Sequence, residues 1–313
     1  MRGLFGYGTR AFKGLLLLLL AVGCSDPGRK PRHIAGDDSL TSGTIHISVD
    51  ESFRPVIEAQ LEVFHSQNPQ ARVIPHYKPE AECIKDLADD TTRLVIITRG
   101  LTESEEVYYE DTLQFRPAFG RVASDAVAVV VHIDDPDSLF TVAELRGMLS
   151  GAVRTGHRHV MDGLQATSTV RFLIDSVLRG QPLSGEVMAA RTSEAVIDHV
   201  ARNKGHIGYV GVSWIGNKED STQLSFLRKV RIAALQCAPC GEDVYVKPYQ
   251  ANIVLHRYPL TRGLYYVLKE NYAGLGRGFV NFLKHEKGQK IFNRAYLAPE
   301  WTQLRIRTVN IKE

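Results

Sequence analysis

Apolar segments of two kinds alternate along most of this chain. Strand-like runs include TIHISV at residues 44–49 and the almost wholly apolar DAVAVVVHI at residues 125–133. Between such runs lie segments with helical spacing, in which Ile57, Leu61 and Phe64 repeat at i, i+4 and i+7. Repeated alternation of strands and helices predicts an α/β fold with mostly parallel sheets.

The same alternation continues through the second half of the chain. A helix is predicted to begin at Thr141, because Thr141 and Glu144 have the spacing of a capping box. Further helices are predicted for TSTVRF, SEAVIDHVARNKG and GRGFVNFLKHEKGQKIFNRAYL, and further strands for HIGYVGV, KVRIAAL and GLYYVL.

The first 43 residues do not share this alternation. Residues 1–23 combine a basic start with the apolar run LLLLLLAV, which is typical of a secretory signal and shorter than the roughly 20 residues of a membrane span. The sequence Ala-Val-Gly-Cys ending at Cys24 resembles a bacterial lipobox, which implies that Cys24 is lipidated. Residues 24–43 are polar and rich in Gly, Pro and Asp, so they are predicted to be a flexible tether between a lipid anchor and the folded body.

Charge argues against nucleic-acid binding. Arg2, Arg10 and Lys13 are the only charged residues of the first 23, so the remaining chain carries 38 − 3 = 35 basic residues against 35 acidic ones. Without a basic block or stripe, the electrostatic basis for binding nucleic acid is absent. From the signal-like residues 1–23 and the lipobox-like sequence at Cys24, the chain is expected to be an exported, membrane-anchored protein of the cell envelope.

Three cysteines follow Cys24. Cys237 and Cys240 form the motif CAPC, which allows three interpretations: a loop disulfide, free thiols or a redox pair. Cys83 is predicted to be a buried apolar residue. No second CxxC and no closely spaced histidine pair stands near CAPC, and GHRH at residues 156–159 is predicted to be a solvated loop. We therefore expect no metal and no cofactor.

Enzyme motifs are missing from the sequence. It contains no G-x-S-x-G, no S-x-x-K with its supporting motifs, no H-E-x-x-H, no P-loop and no G-x-G-x-x-G. A protein that binds rather than transforms its ligand is therefore expected.

Hydroxyl side chains gather at three predicted strand-to-helix junctions. They are Ser52 after the first strand, Thr98 after the third, and the triplet Thr167, Ser168 and Thr169 before a later helix. Ligands of α/β folds lie at the carboxyl ends of strands, and helix starts favour negative charge. Spacing alone leaves two interpretations open: three ordinary helix caps, or one shared oxyanion site.

A family resemblance bears on this choice. The segments SVDESFRPVIEAQLEVF, LVIITRGLTESE, ATSTVRF and HIGYVGV, in collinear order within about residues 44–310, resemble the phosphate-binding proteins of bacterial ABC importers. The resemblance implies a two-lobed type II periplasmic binding protein fold with two crossovers between the lobes. Lobe 1 would comprise residues 44–128 plus 250–313, and lobe 2 residues 129–249. The implied protein is a monomer that binds phosphate between its lobes and delivers it to a membrane permease.

The resemblance also assigns the ligand-binding residues. Two lie at the end of the first strand, two match the family's Ser-Arg pair, three match its Ser-Gly-Thr triplet, and one follows in the first helical turn. The residues so assigned to phosphate are Ser52, Phe53, Thr98, Arg99, Thr167, Ser168, Thr169 and Arg171.

Two departures from the family pattern leave the ligand open. Arg93 stands where the family has an aspartate that accepts a hydrogen bond from protonated phosphate, and Gly163 stands where the family has an arginine. Asp50, Glu51 or Asp125 are candidates to replace the acceptor, and Arg171 to replace the arginine. The alternatives are a receptor for another tetrahedral oxyanion, such as sulfate or molybdate, and an envelope sensor or adhesion module on the same fold.

Overall fold

The computed structural model describes residues 38–300, except residues 90, 115, 166 and 218. Within them the chain forms thirteen strands and ten α-helices. The strands are β1 (Gly43–Asp50), β2 (Ala71–Lys78), β3 (Thr92–Ile97), β4 (Ala118–His132), β5 (Leu139–Phe140), β6 (Arg158–Met161), β7 (Met188–Ala189), β8 (His206–Gly211), β9 (Val230–Ile232), β10 (Ala234–Gln236), β11 (Tyr245–Val246), β12 (Thr261–Leu268) and β13 (Ala298–Pro299). The helices are α1 (Arg54–Gln67), α2 (Glu80–Lys85), α3 (Glu103–Leu113), α4 (Val142–Ser150), α5 (Ser168–Phe172), α6 (Ser193–Arg202), α7 (Ser221–Leu227), α8 (Gln250–Val254), α9 (Leu275–Lys284) and α10 (Glu286–Arg294).

Most of the strands form one sheet with the order β2-β1-β3-β12-β4-β8-β6-β7, and β9 and β13 also pair with β4. Pairing is parallel among β1, β2 and β3 and among β6, β7 and β8, but antiparallel wherever β4 or β12 is a partner. The sheet is therefore mixed, and the expectation of a mostly parallel sheet is wrong. One reason is that β12 returns from late in the chain to lie between β3 and β4, against the direction of both, and β4 also runs against β8 and β9.

The long strand β4 joins two halves of this sheet. Its residues 118–126 pair with β12, while residues 127–132 pair with β8 and β9. Strands β1 and β3 of the first half point towards the residues of β4 at which the partners change. Strand β8 of the second half points towards the same residues from the opposite direction. The carboxyl ends of strands from both halves consequently meet at the same place. This supports the lobe boundaries near residue 128, which stay a prediction.

Local sequence patterns agree with the elements. Residues Val127–Val131 of β4 are completely buried, as expected for an apolar strand covered on both faces. The capping box at the start of α4 is present, since Thr141 and Glu144 exchange side-chain to backbone hydrogen bonds. The segment KVRIAAL is not one strand but two, because the chain passes from β9 in the main sheet to β10 in the small sheet β11-β10-β5.

The folded body begins earlier than the pattern predicted. Asp38 accepts hydrogen bonds from the backbone N–H of Leu275, at 2.7 Å, and from the hydroxyl of Tyr272, at 2.9 Å. It therefore caps α9, so the body starts by residue 38 rather than at residue 44. The predicted signal peptide, Cys24 and the rest of the tether lie outside the described residues. None of the described helices is long and apolar enough to cross a membrane.

A disulfide joins Cys237 to Cys240 between β10 and β11, with 5.3 Å between the two Cα atoms. This is the loop bridge among the three interpretations of CAPC. Cys83 is completely buried, and this burial raises the pKa of its thiol.

Candidate functional site

The candidate site begins where β1 ends. After Asp50 the chain makes a tight 3-10 turn over Glu51–Phe53 and then enters α1. The turn is held by Asp50, whose carboxylate accepts a hydrogen bond from the backbone N–H of Ser52 at 2.9 Å. Ser52 and Phe53 are completely buried, so the turn places a hydroxyl inside the protein at the carboxyl edge of the sheet.

Ser52 meets residues from distant parts of the chain. Its hydroxyl oxygen lies 3.2 Å from that of Ser168, at the start of α5. Its carbonyl oxygen accepts a hydrogen bond from the hydroxyl of Ser213, which follows β8, at 2.7 Å. The structure therefore brings together two of the predicted hydroxyls, one from each half of the sheet.

Arg262 of β12 completes this group. Its Nε donates to Asp125 Oδ2 at 2.9 Å, and its Nη1 donates to the Ser168 hydroxyl at 3.0 Å. The guanidinium lies 5.3 Å above the ring centre of Phe53. Its Nη2 is buried and has no hydrogen-bond partner among the described residues. We call Ser52, Ser168 and Arg262 the serine–arginine cluster.

The sequence reasoning missed Arg262. The predicted strand GLYYVL begins at Gly263, whereas β12 begins at Thr261, so Arg262 lies just ahead of the predicted strand and is not among the predicted site residues. The one available signal was an arginine in an apolar strand, which has to find a partner if it is buried. Arg262 is the buried arginine of this cluster, whereas Arg171, the candidate to replace the family arginine, has partners elsewhere.

The other two hydroxyls of the triplet donate hydrogen bonds to one carboxylate. Thr167 donates to Asp162 Oδ1 at 3.1 Å, and Thr169 donates to Asp162 Oδ2 at 3.3 Å. Thr167 is also the N-cap of α5, since its oxygen accepts from the backbone N–H of Val170 at 3.3 Å. Within the triplet, Ser168 is therefore the residue that faces Ser52 and Arg262.

The predicted residues after β3 have partners of their own. Thr98 donates its backbone N–H to Glu80 Oε1 at 2.9 Å, and its hydroxyl accepts from Arg171 Nη2 at 2.6 Å. Arg99 instead makes a two-fold ion pair with Glu105, at 2.6 and 2.7 Å. Arg99 is thus not brought to the serine–arginine cluster, and Arg171 is directed to Glu80 and Thr98.

Arg93 does not face the candidate site. It lies near the amino end of β3, five residues before Thr98, which corresponds to about 16 Å along a strand. Its Nη1 donates to the hydroxyl of Tyr272 at 2.5 Å. Arg93 therefore does not bear on which acceptors the candidate site offers.

Buried carboxylates supply acceptors beside the cluster. Burial, together with the charge of Glu80, raises the pKa of Asp50 to about 7, and burial with the charge of Glu51 raises the pKa of Asp162 to about 6. Burial also raises the pKa of Asp125, against the lowering effect of Arg262. One oxygen each of Asp50 and Asp125 is buried without a hydrogen-bond partner among the described residues. The site can thus accept hydrogen bonds and can hold protons near neutral pH.

One group of side chains elsewhere has the composition of a metal site. His157 Nε2 lies 3.8 Å from Asp135 Oδ1 and 3.6 Å from Asp137 Oδ2. These residues lie at the amino end of β6, opposite to the end from which Asp162 and the triplet follow. They are therefore not part of the candidate site, and the absence of a metal from its function stays a prediction.

The fold defines a class of protein, the two-lobed periplasmic binding proteins. A sequence model of the PBP superfamily domain matches residues 37–286, so the chain belongs to this family. No curated protein matches the chain.

Solved structures agree with the fold. A protein assigned as a phosphate ABC transporter substrate-binding protein with bound phosphate, from Clostridium perfringens, is 19% identical, with a TM-score of 0.68 over 82% of this chain and 99% of that one. An ABC-type phosphate transport receptor from Vibrio cholerae is 18% identical, with a TM-score of 0.61 over 81% and 99%. The CcmR regulatory domain from Synechocystis, in complex with 2-PG, is 12% identical, with a TM-score of 0.54 over 78% and 96%. At these identities the likeness shows the fold alone.

Proposed function

We propose that this protein is an extracytoplasmic receptor for phosphate, which it binds at the serine–arginine cluster and delivers to an ABC importer. The observation that carries the proposal is Arg262. A buried guanidinium with one nitrogen lacking a partner, next to hydroxyls from both halves of the sheet, offers donors to an oxyanion in a place sheltered from water.

The carboxylates favour an oxyanion that carries a proton. The unpartnered oxygen of Asp125 can accept a hydrogen bond from phosphate, which keeps a proton near neutral pH, whereas sulfate has none to donate. This supports phosphate over sulfate, with the acceptor on a residue within β4.

The two-sided arrangement supports a role in transport. Because Ser52 and Ser168 come from different halves, an anion bound to both stabilises the closed arrangement by its greater affinity for it. The closed form would then be presented to the permease. The proposal includes export by residues 1–23, a lipid anchor at Cys24, a location in the cell envelope and no enzymatic activity.

The first test is calorimetric titration of residues 38–313, stripped of bound anion, with phosphate and then with sulfate. We expect phosphate binding that Ser52→Ala weakens by about 10- to 100-fold, because one hydrogen bond to a charged group contributes about 1.5–3 kcal/mol. Thr169→Ala is the matched control, since its hydroxyl is directed to Asp162. A change of less than threefold is expected there.

The outcomes of this titration separate the candidate functions. Strong binding of sulfate with weak binding of phosphate would keep the receptor and change its ligand. No heat with phosphate, sulfate or molybdate would reject the oxyanion site and favour the envelope sensor or adhesion module.

A second expected result concerns pH. Asp50, with its pKa raised to about 7, is mostly protonated at pH 6 and mostly ionised at pH 8, so a bound anion faces one more negative charge at the higher pH. We expect phosphate affinity to fall between pH 6 and pH 8, by about tenfold more in the wild type than in Asp50→Asn. Comparing the two proteins under identical conditions cancels the titration of phosphate itself. Parallel pH profiles would contradict this role of Asp50.

A further inference from the structure

We infer that Glu80 is a positioning residue that clamps the two halves of the protein together over the serine–arginine cluster. Glu80 is the first residue of α2, which follows β2 in the first half of the sheet. Its side chain is almost completely buried. Its carboxylate joins Thr98 of the same half to Arg171 of the opposite half. The inference rests on the proposed function, because it concerns the same cleft.

The contacts of Glu80 are those of a strong ion pair. Arg171 Nε donates to Glu80 Oε2 at 2.6 Å, and Arg171 Nη2 donates to the Thr98 hydroxyl at 2.6 Å. Glu80 also accepts from both the backbone N–H and the hydroxyl of Thr98. Burial alone would raise the pKa of Glu80, but the hydrogen bonds and charge of Arg171 lower it, so the carboxylate is ionised at neutral pH.

This assignment changes the role of Arg171. All three nitrogens of its guanidinium have carboxylate or hydroxyl partners, because Nη1 also lies 3.2 Å from Asp175. The adjacent Ser168 is the residue that reaches Arg262 and Ser52. Arg171 therefore acts by holding the start of α5 against the first half, where Ser168 meets Ser52.

Another contact between the halves has a similar form. Glu51 Oε2 accepts from the hydroxyl of Ser193, at the start of α6, at 2.8 Å. The two halves are thus joined by the contact of Glu80 with Arg171 and also by the contact of Glu51 with Ser193. Loss of Glu80 should open this cleft without unfolding either half, since Arg171 is partly exposed and can be hydrated.

The experiment measures the conformation of the anion-free protein and its affinity for phosphate. For Glu80→Gln we expect small-angle scattering to give a larger radius of gyration than for the wild type, and calorimetry to give a dissociation constant about fivefold higher. Arg171→Gln should have the same two effects, and the double variant should add little to either, since both changes remove one interaction.

Glu105→Gln is the matched control, because it breaks an Arg–Glu pair of the same 2.6 Å length within one half. Its radius of gyration should equal that of the wild type. If Arg171 instead binds the anion directly and Glu80 competes for it, Glu80→Gln would tighten phosphate binding and leave the radius unchanged, which overturns the clamp. The scattering comparison needs no ligand, so failure of the clamp and failure of the proposed oxyanion function give different results.

Discussion

Replacement of Arg262 by methionine should abolish phosphate binding, with a loss of at least about 100-fold. The guanidinium is the buried positive charge of the serine–arginine cluster, and it also orients the hydroxyl of Ser168. Two charge-assisted hydrogen bonds of about 1.5–3 kcal/mol each would account for a loss of this size. Calorimetric titration with phosphate measures it directly.

The same replacement should destabilise the protein. Arg262 and Asp125 are both almost completely buried, and removal of one partner from such a pair leaves an uncompensated charge that costs about 3–5 kcal/mol. Asp125 already has a raised pKa and would take up a proton, so the loss of stability should be smaller at low pH and grow as the pH rises through that pKa. Urea unfolding at two pH values tests this.

The double variant Arg262→Met with Asp125→Asn separates binding from folding. Without a carboxylate at residue 125, most of the lost stability should return, while phosphate binding should remain absent. Phosphate binding by the folded double variant would contradict the assignment of Arg262 to the anion.

The largest effect expected outside the site is that of Gly278→Ala. Gly278 is buried in α9, and a Cβ atom at this position would overlap the backbone carbonyl group of Leu40. Intrinsic helix propensity favours alanine by about 1 kcal/mol, but overpacking against backbone costs about 1–3 kcal/mol and forces residues 38–42 to move. We therefore expect a lower urea midpoint and faster proteolysis near residue 40.

Gly185→Ala provides the comparison for this variant. A Cβ atom at Gly185 would have no heavy atom within 4 Å, so its stability should stay within about 0.5 kcal/mol of the wild type. A Gly278→Ala protein more stable than the wild type would mean that helix propensity decides the outcome and that residues 38–42 do not pack tightly on α9.

Local elements were predictable because their determinants lie close together in sequence. The apolar run of β4, the i, i+4, i+7 pattern of α1 and the capping box at Thr141 each reflect preferences of a short segment. The boundaries of α1 agree with the prediction within about two residues, whereas β4 begins at Ala118, seven residues before the predicted strand. Parallel or antiparallel pairing was less predictable, because the late strand β12 enters the middle of the sheet.

Which polar side chains face each other was decided by tertiary structure. The sequence by itself determined an α/β chain with hydroxyls at three strand ends, and the family resemblance pointed to an oxyanion. Neither the sequence nor the resemblance could separate Ser168, which contacts Ser52, from Thr167 and Thr169, which donate to Asp162. Strand ends follow from local patterns, whereas the partner of a buried charge such as Arg262 depends on residues more than 90 positions away, which only the folded chain brings within hydrogen-bonding distance.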